Sequence, residues 1–246
     1  MRDIEEYTQK YLEPDFEQYQ VKYRRKKVLE ILNHYKPERV LEIGCGMEPL
    51  FQYADWNYQL WAVVEPSNIF CENAQQIVTD GKIGNRVQVF RDFFPTAKIG
   101  GMHFDFIVCS SLLHEVENAA LLLKGLADAC DKDTVVHINV PNANSFHRFL
   151  AKNMNLVDDV HEFSERNGQL QQHRVFDIKM LKAEAENAGF SVCDSGSYFL
   201  KPFAHAQMFR MMKERIIEEN VLDGLYAITD SFQDYGSEIY INAKLK

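Results

Sequence analysis

Short, unbroken apolar runs alternate along this chain with longer segments of helical spacing, and that alternation limits the available folds more than any other feature. Residues 39–43, 59–64, 86–90, 104–109 and 134–140 are runs dominated by Val, Ile, Leu, Phe and Trp, too short to be core helices. Segments 16–35, 68–78 and 119–129 place apolar residues at helical intervals instead. Strands buried on both faces read as continuous apolar runs, and parallel strands need long crossovers. The pattern therefore predicts βαβ units around a parallel sheet.

After Pro141 the texture changes. Residues 142–174 are polar and rich in Asn and His, with helical spacing at 145–154. A helix over 178–188 should stop at Gly189. Segments 190–200 and 238–245 read as two further strands able to pair as a hairpin, with a Met-rich helix near 205–219 between them. The expected architecture is α/β: a doubly wound, mostly parallel seven-stranded sheet with helices on both faces and an antiparallel edge strand. No repeat or Pro/Gly-rich linker divides the 246 residues, so one domain is expected. Within it, 1–36 forms an N-terminal helical lid, 37–140 the nucleotide-type core, 141–176 a polar cap inserted after the fifth strand, and 177–246 the rest of the sheet.

Composition removes several functions. Lys and Arg number 27 against 36 Asp and Glu, a net charge of −9, which opposes nucleic-acid binding because that affinity comes from basic residues displacing counterions. No run approaches the roughly 18 apolar residues of a membrane span, and the acidic start Met1-Arg2-Asp3-Ile4-Glu5-Glu6 lacks a signal peptide's apolar core. Five widely spaced cysteines, with no Cys-x-x-Cys, predict a reduced cytoplasmic protein without a disulfide framework or metal site.

The most specific segment is Val40-Leu41-Glu42-Ile43-Gly44-Cys45-Gly46-Met47-Glu48-Pro49-Leu50, a strand running into a glycine turn and then a helix. Gly44 and Gly46 allow a tight turn and close approach of a ligand to the backbone. A pyrophosphate would need free N–H groups and positive potential at the following helix start, where Glu48 and Pro49 stand. That disfavours NAD. S-adenosylmethionine has no phosphate, carries a sulfonium cation, and presents an ammonium group that Glu42 can hold directly or through water. Glu65, nineteen residues after Gly46, closes the second strand where a carboxylate accepts from ribose hydroxyls. Asp92 closes the third strand, placed to accept from an adenine amino group, with Phe93 beside it for the ring.

Glu42, Gly44, Gly46, Glu65 and Asp92 falling at three successive strand ends resembles the class I S-adenosylmethionine-dependent methyltransferases, whose first motif is Glu/Asp-x-Gly-x-Gly-x-Gly. The resemblance is clear over about 28–140 and looser beyond it, and Glu48 replaces the motif's third glycine. It implies cofactor contacts from Glu42, Gly44, Cys45, Gly46, Glu65, Pro66, Asp92, Phe93 and Ser110, and from Tyr11 in an N-terminal lid that also carries Tyr7. Ser110 serves equally as a turn former. Tyr19 and Tyr23 fit core packing as well as a lid.

Methyl transfer needs a base when the acceptor is an alcohol. His114, following the fourth strand, is the leading candidate, against a pocket-shaping or capping role. Glu115 reads as a helix-start carboxylate and His173 as a second base or anion ligand. His137 reads as a core histidine, and His34 and His103 as exposed. Met208, Met211 and Met212 read as helix packing. Asn142, His147, Lys201 and His205 are candidate acceptor-binding residues, the last two with charge suited to a phosphate or carboxylate, against a solvated-surface role for each. Segments 142–147 and 200–203 are similar to bacterial methyltransferases of surface-glycan pathways, which implies a sugar, sugar nucleotide or phosphorylated acceptor of capsule or polysaccharide biosynthesis. A catalytically silent cofactor-binding module is the alternative. A protein methyltransferase lacks its paired-glutamate loop here, and a nucleic-acid methyltransferase lacks Asn/Asp-Pro-Pro-aromatic where Ser110-Ser111-Leu112-Leu113 stands.

Overall fold

The computed structural model describes residues 3–246, with the Glu165 side chain left aside. Met1 and Arg2 of the acidic start lie outside the described residues. The sheet has seven strands: β1 (Arg39–Ile43), β2 (Leu60–Val64), β3 (Val87–Phe90), β4 (Phe106–Ser110), β5 (Val135–Pro141), β6 (Phe190–Tyr198) and β7 (Glu238–Leu245). Their order is β3-β2-β1-β4-β5-β7-β6, parallel except for β7, which runs antiparallel to both β5 and β6. The order reverses between β1 and β4, and open α/β sheets bind ligands at the carboxyl ends of the strands at such a point.

Strand alternation decides which side chain meets which layer. Leu41 and Ile43 face one side, together with Ile107, Val136 and Ile241, under α4 (Ala119–Asp128) and α7 (Ile178–Asn187). Val40 faces the other, with Trp61, Val63 and Val108, under α2 (Glu17–Tyr35) and α3 (Asn68–Asp80). Glu42 alternates onto this second side, a carboxylate among apolar residues. A third cluster joins the first half of α2 to the end of β6, where Tyr23 stacks on Phe199 with ring centroids 4.5 Å apart. Met208 is buried in that cluster and Met212 packs against it.

Several segments depart from the sequence expectation. The glycine turn leads into a single 3-10 turn, Leu50–Tyr53, rather than an α-helix, and Glu42 accepts the Leu50 N–H that opens it. The strands β6 and β7 pair antiparallel as expected, but the Met-rich helix between them, α8 (His205–Lys213), is shorter than expected and is followed by an unanticipated helix, α9 (Glu219–Ala227). The more polar β6 takes the edge while Ile239, Ile241 and Ala243 bury β7 inside it. Short helices α1 (Ile4–Tyr11), α5 (Phe146–Asn153) and α6 (Glu165–Gln169) cover the carboxyl ends of the strands. Gly189 follows α7 with φ +93°, the stop that was expected.

One ion pair fastens α2 to the sheet. Glu238, wholly buried at the start of β7, accepts from Arg24 Nε at 2.9 Å, Gln20 at 2.9 Å, Tyr198 at 2.6 Å and Asn139 at 3.0 Å. Removing one partner of such a pair strands the other in low dielectric. Arg24→Met is therefore expected to cost about 3–5 kcal/mol of stability in urea unfolding. A loss below about 1 kcal/mol, the size of a surface pair, would contradict that.

Candidate active site

The carboxyl ends of β1, β2 and β4 open into a cavity of about 520 Å³, roofed by α1 and the cap. That volume suits a nucleoside and a small acceptor together. The roof is tied down by specific contacts. Thr8 donates to Ser67 Oγ at 2.9 Å, Lys10 to the Gln169 carbonyl at 3.2 Å, and the Asp3 N–H to Gln171 at 3.0 Å.

Gly44 and Gly46 both take positive φ, +75° and +56°, which a side chain would strain. A Cβ on Gly46 would also sit 3.5 Å from the Tyr11 hydroxyl, so the lid tyrosine closes directly over the turn. Two buried carboxylates flank it. Glu42 accepts from the Leu50 N–H at 3.0 Å and Trp61 Nε1 at 2.9 Å. Burial nevertheless raises its carboxyl to about 7, with Glu65 adding repulsion. Glu65 accepts from the Ser67 N–H at 2.8 Å and the Gly46 N–H at 3.3 Å, and burial raises its pKa as well. Cys45, Pro66, Phe93 and Ser110 line the same cavity, and burial beside the two carboxylates pushes the Cys45 thiol up.

Asp92 does not itself line the cavity: its Oδ1 accepts the Phe93 N–H at 2.8 Å, while Phe93, Phe94 and Pro95 form the wall beside it. Glu48, in the third glycine's place, is taken up by Arg25 and by the Tyr53 hydroxyl at 3.1 Å, with Arg25 over the Tyr53 ring. Its charge is matched and the turn keeps its shape.

His114 is buried in the cavity wall, and its carbonyl accepts from the His173 and Arg174 N–H groups at 2.9 and 3.3 Å. The two candidate catalytic histidines thus meet, with His173 exposed at the mouth. Because α4 begins at Ala119 with Asn118 as its cap, Glu115 is no helix-start carboxylate; it is buried with Oε1 3.8 Å from His114 Nε2.

His147, Lys201 and His205 meet on the β5–β7 side of the cavity, none of them solvated surface. Asn142 lies there too, but its amide donates to the carbonyls of Asp234 and Gly236 at 3.0 and 2.9 Å and accepts from the Asn144 N–H. It braces the approach to β7 with both amide hydrogens, which leaves it one oxygen lone pair for a ligand. Glu17, Gln20 and Arg24 in α2, and Arg148 and Arg166 in the cap, line this side without having been anticipated. Spacings of three and four residues put the α2 trio on one helical face, a polar stripe that was present in the sequence. His137 is the core histidine expected: Nδ1 bonds Asn242 at 2.8 Å and burial lowers its pKa to about 4. His34 and His103 are exposed, and all five cysteines are free.

A raised Glu42 pKa means that the folded state holds its proton more tightly than the unfolded chain, where the carboxyl titrates near 4.5. The associated stability is full below about 4.5 and is lost as pH rises through about 7. Glu42→Gln cannot ionise and keeps an oxygen for Trp61 and Leu50. It is expected to gain stability relative to the parent between about pH 5 and pH 8 in urea unfolding. A difference that stays constant over that range would contradict the assignment.

Comparison with known proteins agrees with this geometry. A methyltransferase-domain model matches residues 16–195. No curated protein matches the sequence. The plantazolicin methyltransferase BamL, solved with a desmethyl-plantazolicin analogue and S-adenosylhomocysteine (SAH), superposes with a TM-score of 0.59 at 16% identity, over 94% of this chain and 88% of that one. The magnesium protoporphyrin IX methyltransferase of Synechocystis, solved with SAH, gives 0.56 at 15% identity over 90% and 82%. An S-adenosylmethionine-dependent methyltransferase of Clostridium acetobutylicum gives 0.56 at 11% identity over 91% of each chain. At such identities the likeness is one of fold. The family match, covering well over half of the sequence, is what decides: this chain belongs to the methyltransferase-domain family.

Proposed function

We propose that the protein transfers a methyl group from S-adenosylmethionine to an oxygen of a polar small molecule. The observation that carries this reading is the pair of buried carboxylates, Glu42 and Glu65, on either side of a glycine turn that holds no basic residue of its own. Such a rim repels a pyrophosphate and suits a cationic nucleoside. When bound, the cofactor supplies a methyl on a sulfonium, activated for in-line displacement.

The chain's own residues do the rest. Glu65 accepts from the ribose hydroxyls, Phe93 packs on the adenine, and Ser110 and Cys45 close the sides. Glu42 sets the potential for the ammonium group while bracing the turn through Leu50 and Trp61. Tyr11, over Gly46, excludes water from above. His114 takes the acceptor's proton, with His173 at the mouth beside it. The polar wall of His147, Lys201 and His205 orients the acceptor, whose candidates are a sugar, sugar nucleotide or phosphorylated metabolite of surface-glycan assembly in the cytoplasm. Among the described residues no helix is long and apolar enough to cross a membrane.

SAH release, measured on a panel of hydroxylated, aminated and phosphorylated metabolites, tests the reading. Turnover on hydroxylated members is expected, and cofactor binding without turnover on any of them would mark a silent module. Glu65→Ala is expected to weaken SAH binding by about 1–3 kcal/mol in calorimetry, the worth of buried hydrogen bonds to a charged acceptor. An unchanged dissociation constant would count against the ribose contact. His114→Ala is expected to lower kcat by about 100-fold or more with little change in SAH affinity. A change confined to KM would make His114 a binding residue.

A further inference from the structure

We infer that the acceptor carries an anionic group, a phosphoryl or a carboxylate, which docks on Lys201, Arg148 and His147 and charges Lys201 as it binds. The inference deepens the methyl-transfer reading and rests on it only for what occupies the cofactor half of the cavity.

The hydrogen bonds around Lys201 fix what its nitrogen has left. The Gln20 amide donates to Glu238 at 2.9 Å, so its oxygen is the atom 3.3 Å from Lys201 Nζ. His205 Nε2–H donates to Glu17 at 3.2 Å, which leaves Nδ1 to accept from Nζ at 2.7 Å. Two N–H bonds of Nζ thus go to two neutral acceptors. The third position is a lone pair in the amine and a third N–H in the ammonium form. Lys201 is buried and lines the cavity, so a ligand decides which form is favoured.

Each nearby carboxylate already has an arginine partner. Arg24 occupies Glu238 and shares Glu17, while Arg166 takes Asp15 at 2.6 Å and Glu17 at 3.2 Å. Arg148 donates to the carbonyls of Val160, at 2.6 Å, and Glu162. Among the described side chains, neither Lys201 nor Arg148 has an ion-pair partner. His147 Nδ1 is buried without a hydrogen-bond partner on the same side of the cavity.

These groups oppose one another's charge. Burial lowers His147 well below its ordinary range, and Lys201, His205 and Arg148 lower it further. Burial brings Lys201 down to about 7, with Arg166 and Arg148 lowering it and Glu17 and Glu238 raising it. His205 is held near 4, mainly by burial and then by Lys201, and Tyr198, donating to Glu238, stays neutral. An anion among them turns mutual repulsion into attraction and restores the ammonium form.

The test is calorimetry near pH 8 on SAH-saturated protein, titrated separately with sulfate and acetate in two buffers of different ionisation enthalpy. Neither anion titrates there, so proton uptake belongs to the protein. The expected result is binding of at least one of them with uptake of about one proton per site. Sulfate alone points to a phosphoryl group and acetate alone to a carboxylate. Lys201→Met is expected to weaken binding at least about tenfold and abolish the uptake. Lys201→Arg should bind the anion without uptake, because a guanidinium is already charged. That variant also covers a Lys201→Met protein that does not fold. Binding of neither anion, binding without proton uptake in the parent, or uptake that persists in Lys201→Arg would overturn the proposal. SAH binding in the same samples separates the two readings, since loss of an anion site with SAH still bound leaves methyl transfer standing.

Discussion

A carboxylate buried at the end of a central strand must find donors, and Glu42 finds them in Trp61 of β2 and in the Leu50 N–H beyond the glycine turn. Those two bonds tie three segments to one point and fix the path of the turn between them. Beyond that point the chain makes only the 3-10 turn Leu50–Tyr53. Neither donor is a cation, so the carboxyl stays close to its protonation midpoint at neutral pH. A positively charged group entering the cavity meets a site prepared to ionise toward it.

The same logic, with the sign reversed, runs through the other half of the cavity. There Arg24 and Arg166 pair with Glu17, Glu238 and Asp15, and Lys201 is left with neutral hydrogen-bond acceptors. One cavity therefore holds an acidic rim at β1 and β2 and a basic wall beside β5, β6 and β7. On the proposed reading, two ligands of opposite local charge are drawn to adjacent positions, which is what transfer between them requires.

The sheet and the rim were legible because their signals are local. Strands of five unbroken apolar residues, two glycines after Glu42, and Glu65 at the next strand end announce themselves within a few positions. Asp92 lies beside the cavity wall instead of in it, with its Oδ1 turned to the Phe93 N–H, a local turn that the strand pattern does not mark. The bracing role of Asn142 was not legible because the loop before β7 brings two carbonyls to it from far along the chain. The stripe of Glu17, Gln20 and Arg24 was visible as spacing but had no meaning until Glu238 and Lys201 were folded against it. The order of β6 and β7 likewise depends on which strand buries its apolar face, a tertiary decision that neither segment carries alone.

On the proposed reading the acidic rim selects a nucleoside that carries an ammonium group and no phosphate over a dinucleotide. Competitive calorimetry of SAH against NAD measures that selection directly. The expected result is saturable binding of SAH with one site per chain and no detectable displacement of it by NAD. A protein that bound the dinucleotide and ignored SAH would contradict the account at its root.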